Sequence, residues 1–346
     1  MADMSDINVI YQFNENYVPY AGVSITSLFI NNTDADTINV YVLGDDLSEE
    51  SVTMLQRTAD KYGRNVIFPK TQEMLKRFEE LGMIPYRGTY SVYLRLFFTR
   101  LPGVDLAGKR AVYLDADTIV DKSLTSLTDY DLGGKSIGMV LESIRDDYKV
   151  MIGMSRDSDY YNSGVILFDV DKWESNGYCD RLVEHIRNVR SSYIGDQDFL
   201  NIVCEGDVCR LPLTYNFQPL HARYTADEYF AAYKLRDESE YYGAGEIESA
   251  KHDAAILHCY RWLGEFPWNL GNLHPFNDAY DRYMAQSLWK GSDKKRADSG
   301  IAIRLEKLLY RILPKSLFIR IFKLAHKMML QRAEADARAQ KTNADA

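Results

Sequence analysis

The sequence predicts an α/β fold on a mainly parallel sheet, and three observations carry that prediction. Short apolar runs of strand length alternate with stretches of helical period, the pattern of βαβ units. The central run, Ala111 to Leu114, is apolar throughout, as in a strand covered on both faces of a parallel sheet. Polar side chains recur at strand ends, and open α/β sheets bind ligands beyond the carboxyl ends of their strands.

Ile7 to Phe13 reads as the first strand, followed by Asn14-Glu-Asn-Tyr17 and an apolar helix through about Phe29. Ile38 to Leu43 is a second strand. Ser48 caps the next helix, whose first turn carries Glu49 and Glu50 at the positive end of the dipole. Val66 to Phe68 is a third strand, and Thr71 opens another helix. Tyr90 to Arg100 reads as helix, with Tyr93, Leu96, Phe97 and Arg100 at three- and four-residue spacing. It feeds the strand that ends at Asp115. Ser136 to Leu141 is a strand ending at Glu142. Tyr160-Tyr-Asn-Ser-Gly-Val-Ile-Leu-Phe168 places Asn162 and Ser163 just before a further buried strand, with Gly164 permitting close backbone approach. Tyr178 to Arg190 is helical, Asp196 caps the helix that follows Ile194-Gly195, and Ala254 to Cys259 is a last strand ending at His258. If these strands are parallel neighbours, the polar groups at their ends gather on one edge.

The chain is organised around Arg110-Ala-Val-Tyr-Leu-Asp-Ala-Asp117. In an extended chain, residues two apart point the same way, so Asp115 and Asp117 can grip one cation across the small Ala116. A hard divalent cation held by one or two carboxylates completes its shell with substrate phosphates. The bare spacing is common here: Asp34/Asp36, Asp129/Asp131, Asp157/Asp159, Asp169/Asp171 and Asp196/Asp198 repeat it, mostly among turn-formers. Only the 115/117 pair directly follows a buried-looking strand.

The 346 residues suffice for one large or two ordinary domains, with 25 tyrosines the one compositional excess. Net charge is −9, but Ile301 to Arg332 carries eight Lys/Arg against one Glu, leaving −16 for the rest. A basic tail on an acidic body suggests an anionic partner for the tail and argues against nucleic acid as the main ligand. Cys179, Cys204, Cys209 and Cys259 fall at no zinc or redox spacing and favour a reduced, cytosolic setting. Residues 1–6 lack a secretory pattern, and no apolar run reaches the length of a membrane span.

Tyr-Leu-Asp-Ala-Asp, Tyr-Tyr-Asn-Ser-Gly-Val-Ile-Leu-Phe, Gly-Asp-Gln-Asp-Phe-Leu-Asn and Leu-His-Cys-Tyr resemble, in that order, the family 8 glycosyltransferases. These are retaining enzymes that move a hexose from a nucleotide diphosphate, and they include glycogenin and bacterial lipopolysaccharide galactosyl- and glucosyltransferases. The match runs from about Ile7 to Trp268. It implies a single Rossmann-like nucleotide-diphospho-sugar transferase domain of GT-A type, with a mixed, mainly parallel sheet, over residues 1–275. A helical, basic, amphipathic region would follow over 276–346.

Carried over residue by residue, the resemblance implies that Asp115, Asp117 and His258 bind Mn²⁺ (or Mg²⁺), with Asp115-Ala116-Asp117 facing the nucleotide diphosphate. Imidazole suits manganese better than magnesium. Tyr17 would stack on uracil with Asn14 and Asn16 nearby, and Arg95 would contact donor sugar or phosphate. Asn162, Asp196 and Gln197 would line the sugar pocket, and Glu142 sits where the family often has an acidic or polar residue. Asn14 replaces an Asp found in many relatives. The family's Gly-x-x-Lys-Pro-Trp reads Leu263-Gly-Glu-Phe-Pro-Trp268 here, so its diphosphate-binding lysine is missing at the expected place. Either Arg261 supplies that charge or the loop closes differently.

Retention by double displacement needs a carboxylate under the anomeric carbon. Gln197 is an amide and a poor nucleophile, so same-face attack through an oxocarbenium-like state is expected instead. The tail carries two apolar stripes. Ile301, Leu305, Leu308, Leu309 and Ile312 run beside Arg304, Lys307 and Arg311. After the break at Pro314 come Leu317, Ile321, Leu324, Ala325 and Met328 beside Arg320, Lys323 and Lys327. They fit either a helical pair packed on the body or a basic helix on anionic lipid. The sequence thus predicts a metal-dependent retaining hexosyltransferase, peripheral on the cytoplasmic face of the membrane. It would use UDP-glucose or UDP-galactose to extend a cell-surface glycan or glycolipid. The alternatives are a nucleotidyl- or phosphotransferase, and a catalytically silent nucleotide-sugar-binding protein recruited to membranes.

Overall fold

A computed structural model describes residues 6–86, 88–188, 195–233, 241–297, 300–321 and 324. Nine strands form within them: β1 (Ile7–Gln12), β2 (Ile38–Val42), β3 (Asn65–Ile67), β4 (Arg110–Asp115), β5 (Thr118–Val120), β6 (Ile137–Leu141), β7 (Tyr161–Asp169), β8 (Val208–Arg210) and β9 (Ile256–His258). Seven make one sheet in the order β3-β2-β1-β4-β7-β6-β8, and β5 with β9 make a second. The first four strands of the large sheet are mutually parallel, as the βαβ pattern requires. Helices α1 (Val18–Asn31), α2 (Glu49–Tyr62) and α3 (Gln72–Glu80) cross between or follow them. Ser48 caps α2 by accepting from the Ser51 amide, as its sequence suggested. β1 and β4 are buried along nearly their whole length, which explains their unbroken apolar runs.

Six local expectations change. β7 runs antiparallel to both β4 and β6, so the sheet edge is shared by the carboxyl ends of β1, β4 and β6 and by the amino end of β7. Asn162 and Ser163 therefore lie inside the first residues of β7 rather than before it. Asp115 and Asp117 are joined by a turn at Ala116–Asp117, not by extended chain, and the chain leaves the large sheet there to form β5. β9 pairs antiparallel with β5, placing Thr118 opposite His258, and does not enter the large sheet.

Residues 91–100 form two 3₁₀ turns, Ser91–Leu96 and Phe98–Arg100. Tyr93, Leu94, Arg95 and Leu96 are all buried, so no solvent face selects the α period. Asp196 is the first residue of the helix Asp196–Val203, and Gly195 takes the cap position.

Residues after 275 are tied to the body. The helix Asn277–Met284 meets α1, where Asn31 Nδ2 donates to the Tyr283 hydroxyl at 2.7 Å. Trp289 lies so close to Gly22 that a Cβ there would fall 2.0 Å from its ring. The helix Ile301–Ile312 ends before Pro314, as expected. Ala325, Met328, Lys323 and Lys327 lie outside the described residues, as do residues 1–5.

Candidate active site

At the shared edge, Asp115 ends β4, Asp117 follows it on the turn, and His258 ends β9 on the paired strand. The Cys259 amide donates to the Asp117 carbonyl at 2.7 Å and ties the turn to β9. One ligand atom from each of Asp115, Asp117 and His258 falls within 4.8 Å of the others. His258 Nε2 faces Asp117 Oδ1 at 3.5 Å and Asp115 Oδ2 at 3.7 Å, beyond good hydrogen-bond length. Two carboxylates and an imidazole at this separation fit a divalent cation of the manganese type. Burial works against a charged His258 ring, but the Asp117 carboxylate and the charges of Asp115 and Glu142 outweigh it and raise its pKa.

Asp115 divides its two oxygens. Oδ1 accepts from Arg95 at 2.9 Å and from the Tyr113 hydroxyl at 2.7 Å, leaving Oδ2 toward His258. Arg95 is buried, pairs also with Asp196, and donates to the Ser163 hydroxyl at 3.1 Å and the Ser163 carbonyl at 3.3 Å. Its guanidinium stands 4.6 Å from the Tyr113 ring centre. Burial opposes its charge, but the Tyr113 and Asp115 contacts prevail and its pKa rises. Arg95 therefore joins the Asp115 side of the cleft to the Asp196 side.

Gln197 has both ends of its amide engaged. Oε1 accepts from the Ser163 amide at 3.0 Å, and Nε2 donates to the Tyr160 hydroxyl at 3.2 Å. Tyr160 in turn donates to Asp198 at 2.6 Å. Asn162 Nδ2 donates to Glu142 at 2.8 Å, and Gln218 Nε2 reaches the same Glu142 oxygen at 3.3 Å. Burial raises the Glu142 pKa against these two hydrogen bonds and the His258 charge.

Beside the Asp115–Asp117–His258 cluster is a cavity of about 430 Å³ lined by Phe13, Asn14, Tyr17, Asp45, Ser91 and the Asp115–Asp117 turn, among others. Asn16 is exposed and is not among its lining residues. Burial and the Asp117 charge raise the Tyr17 phenol, and the Arg261 charge opposes them. An aromatic column runs from Tyr17 through Tyr20 and Trp268 to Phe266, with ring centres 5.7, 4.1 and 4.4 Å apart. The Arg261 guanidinium lies 5.3 Å from the Phe266 ring centre.

The segment after His258 carries Leu263 at φ 49°, a non-glycine residue in left-handed backbone, followed by Gly264 at φ 74°. A Cβ on Gly264 would fall 2.4 Å from Ile303. Glu265 forms an ion pair with Lys307, and Trp262 meets Tyr310 edge to face at 5.7 Å. The helix Ile301–Ile312 thus packs on this loop, with Tyr310 inward and Ile301, Leu305, Leu308 and Ile312 exposed.

Sequence reasoning missed Asp45, Asp46, Ser91, Tyr113, Asn216 and Gln218. Asp45 and Asp46 follow β2, and the strand-end rule applied to the other strands would have found them. Asn216 and Gln218 follow a short 3₁₀ turn and carry no comparable pattern.

The Glycosyl transferase family 8 model matches residues 8–265, most of the chain. The chain belongs to glycosyl transferase family 8. This family 8 chain is 24% identical to General stress protein A of Bacillus subtilis (strain 168) over 284 residues, covering 82% of this chain and 94% of that one. It is 23% identical to the lipopolysaccharide 1,2-glucosyltransferase of Escherichia coli K12 over 305 residues, covering 86% and 83%. The galactosyltransferase LgtC, solved with donor and acceptor sugar analogs, superposes with a TM-score of 0.65 at 22% identity, covering 82% and 96%. At that identity the likeness shows the fold, a single α/β domain of GT-A type.

Proposed function

We propose that this family 8 chain is a metal-dependent, retaining hexosyltransferase that moves glucose or galactose from a UDP-sugar to a cell-surface glycan or glycolipid. The observation that carries this reading is the Asp115–Asp117–His258 cluster opening onto a cavity lined by Tyr17 and Asn14. Mn²⁺ held by those three residues would neutralise charge on the departing diphosphate.

The remaining roles belong to the chain itself. Tyr17 offers its ring to the uracil, with Asn14, Asn16 and Ala116 close to the nucleotide. Arg261, whose charge is felt at Tyr17, stands in for the family's absent lysine toward the diphosphate. Arg95 holds Asp115 and Asp196 in register, and Asn162, Glu142, Asp196 and Gln197 form the hexose side. Gln197 has its amide tied at both ends, which suits positioning rather than nucleophilic attack. In the proposed step the anomeric carbon–oxygen bond breaks with its electron pair going to the diphosphate. The acceptor oxygen attacks the same face, and its proton passes to the leaving phosphate oxygen. Trapping a covalent sugar adduct on Asp196 or another carboxylate would overturn that step.

Residues 1–275 would carry the chemistry. The exposed Ile301, Leu305, Leu308 and Ile312, beside Arg304 and Arg311, would rest on an anionic lipid surface at the cytoplasmic face. No helix among the described residues is long and apolar enough to cross a membrane. The test is Mn²⁺-dependent UDP release from a panel of UDP-sugars, with Asp115→Ala and Asp117→Ala as controls. Nucleoside monophosphate or pyrophosphate release would indicate a nucleotidyl- or phosphotransferase instead. Tight donor binding with no UDP release from any sugar or acceptor would indicate a silent binding protein.

A further inference from the structure

Behind the metal cluster is an unbroken line of buried or half-buried polar groups. His258 Nδ1 and Asn216 Oδ1 are 2.9 Å apart. Asn216 Nδ2 donates to Asn162 Oδ1 at 2.8 Å, and Asn162 Nδ2 donates to Glu142 at 2.8 Å. Asn216 is fully buried, and Asn162 and His258 nearly so.

The direction of every bond in this line is fixed by a backbone amide that cannot reverse, and the Glu142 carboxylate agrees with it. The Glu142 carboxylate accepts, so the end of Asn162 facing it is the NH₂. Independently, the Gly164 backbone amide donates to Asn162 Oδ1 at 2.9 Å, and a backbone N–H has no acceptor form. With Asn162 Oδ1 held as an oxygen, the atom of Asn216 facing it is the NH₂. The atom of Asn216 facing His258 is then the oxygen, and only a protonated Nδ1 satisfies it. A flipped Asn216 would set oxygen against oxygen at Asn162, a cost of about 1–3 kcal/mol for each buried polar group left unsatisfied. The imidazole edge is also held in place: a Cβ on Gly164 would fall 2.2 Å from its Cε1 and 2.7 Å from its Nδ1.

We propose that Asn216 is the positioning residue that locks His258 as the Nδ1–H tautomer, turning the Nε2 lone pair toward Asp115 and Asp117. With the Nδ1 proton held by Asn216, Nε2 is the nitrogen whose lone pair the neutral ring offers to a cation, and in that purpose the lock rests on the metal reading above. Metal-binding histidines gain basicity and a fixed orientation from such a partner on the other nitrogen.

The test uses the full chain with ¹⁵N-labelled histidine. Long-range ¹H–¹⁵N spectra of the metal-free protein, recorded at alkaline pH where the ring is neutral, read the tautomer directly. Mn²⁺ titration followed by electron paramagnetic resonance reads affinity. The wild type is expected to show protonated Nδ1 and a pyridine-type Nε2. Asn216→Ala and the isosteric Asn216→Leu are expected to shift the ring toward Nε2–H and to weaken Mn²⁺ binding by about 10–100-fold. Asn216→Asp keeps an oxygen toward Nδ1 but sets its other oxygen against Asn162 Oδ1, so it is expected to retain the Nδ1–H tautomer while losing stability and some Mn²⁺ affinity. An Nδ1–H ring surviving in Asn216→Ala would overturn the proposal. So would an Nε2–H ring in Asn216→Asp, since an oxygen facing Nδ1 would then not be what fixes the tautomer. A wild type that shows Nδ1–H but binds no Mn²⁺ supports the tautomer assignment and overturns the metal reading.

Discussion

Arg95 lies 2.9 Å from Asp115 through one guanidinium nitrogen and pairs with Asp196 through another, spanning the cleft with a single buried side chain. Removing one partner from a buried ion pair costs about 3–5 kcal/mol, because the remaining charges are left uncompensated. Arg95→Ala is expected to lower unfolding stability on that scale, measured by urea denaturation, and to abolish UDP release. Arg95→Lys keeps a charge but not the fork, and is expected to retain more stability than activity.

Metal dependence has a thermodynamic signature separate from turnover. Mn²⁺ at about 100 times its Kd should stabilise the folded protein by about 2.7 kcal/mol, and chelation should remove that gain. In Asp115→Ala and Asp117→Ala the Mn²⁺-induced rise in Tm should vanish. A Tm response that survives both substitutions would place the cation elsewhere.

Gly164 is expected to tolerate no side chain. The added methyl of Gly164→Ala meets the His258 ring at 2.2 Å, and overpacking of this kind costs about 1–3 kcal/mol. Calorimetry should show the lower Tm, and Mn²⁺ affinity should fall with it, because the ring that must move carries the ligand atom.

Two buried histidines set an acid limit on stability. Burial, aided by the Lys251 charge, pushes His221 from 6.5 down to about 3, and its ring packs against both Tyr229 and Tyr241, which also stack on each other. Burial pushes His274 down to about 4, against the bond it makes to the Tyr260 carbonyl. In the unfolded chain both take a proton as pH falls through 6.5, while in the folded chain both stay neutral. Their contribution is therefore complete above 6.5 and lost progressively below it, at about 1.4 kcal/mol per pH unit for each. Urea unfolding between neutral pH and about pH 4 should show this slope, and His221→Gln should flatten it.

The exposed face of the helix Ile301–Ile312 gives a membrane prediction. Co-sedimentation with vesicles rich in phosphatidylglycerol should exceed that with neutral vesicles and should weaken with salt. Leu305→Ser with Leu308→Ser should reduce it at any salt, and Arg311→Glu should reduce it most at low salt. Equal binding to neutral vesicles would remove the electrostatic part of the argument.

Strand-end polarity marks Asp115, Glu142, Asn162 and His258 in the sequence alone, because apolar runs and their flanking residues are local in sequence. Ligand assignments such as the Asp115–Asp117–His258 set came from the family motifs. Strand direction was not legible. β7 reads the same whether parallel or antiparallel, and its direction decides that Asn162 reaches the edge from the start of a strand. The partnership of β5 with β9 was equally hidden, since each offers only three residues of pattern. Asn216 was missed for a related reason: its role is defined by what stands on either side of it in space. The apolar stripe of the tail was read as one face, yet the helix both packs inward and exposes Leu305 and Leu308.

Glu265 is only 3% exposed, and its cationic partner, Lys307, comes from the helix Ile301–Ile312. A chain cut before residue 300 would keep every residue of the cleft and still strand a carboxylate inside the loop that follows His258. Shortening the protein to residues 1–299 therefore also disturbs the loop beside the cleft. A soluble fragment with weak turnover would report the lost Lys307, not a defect in the Asp115–Asp117–His258 cluster.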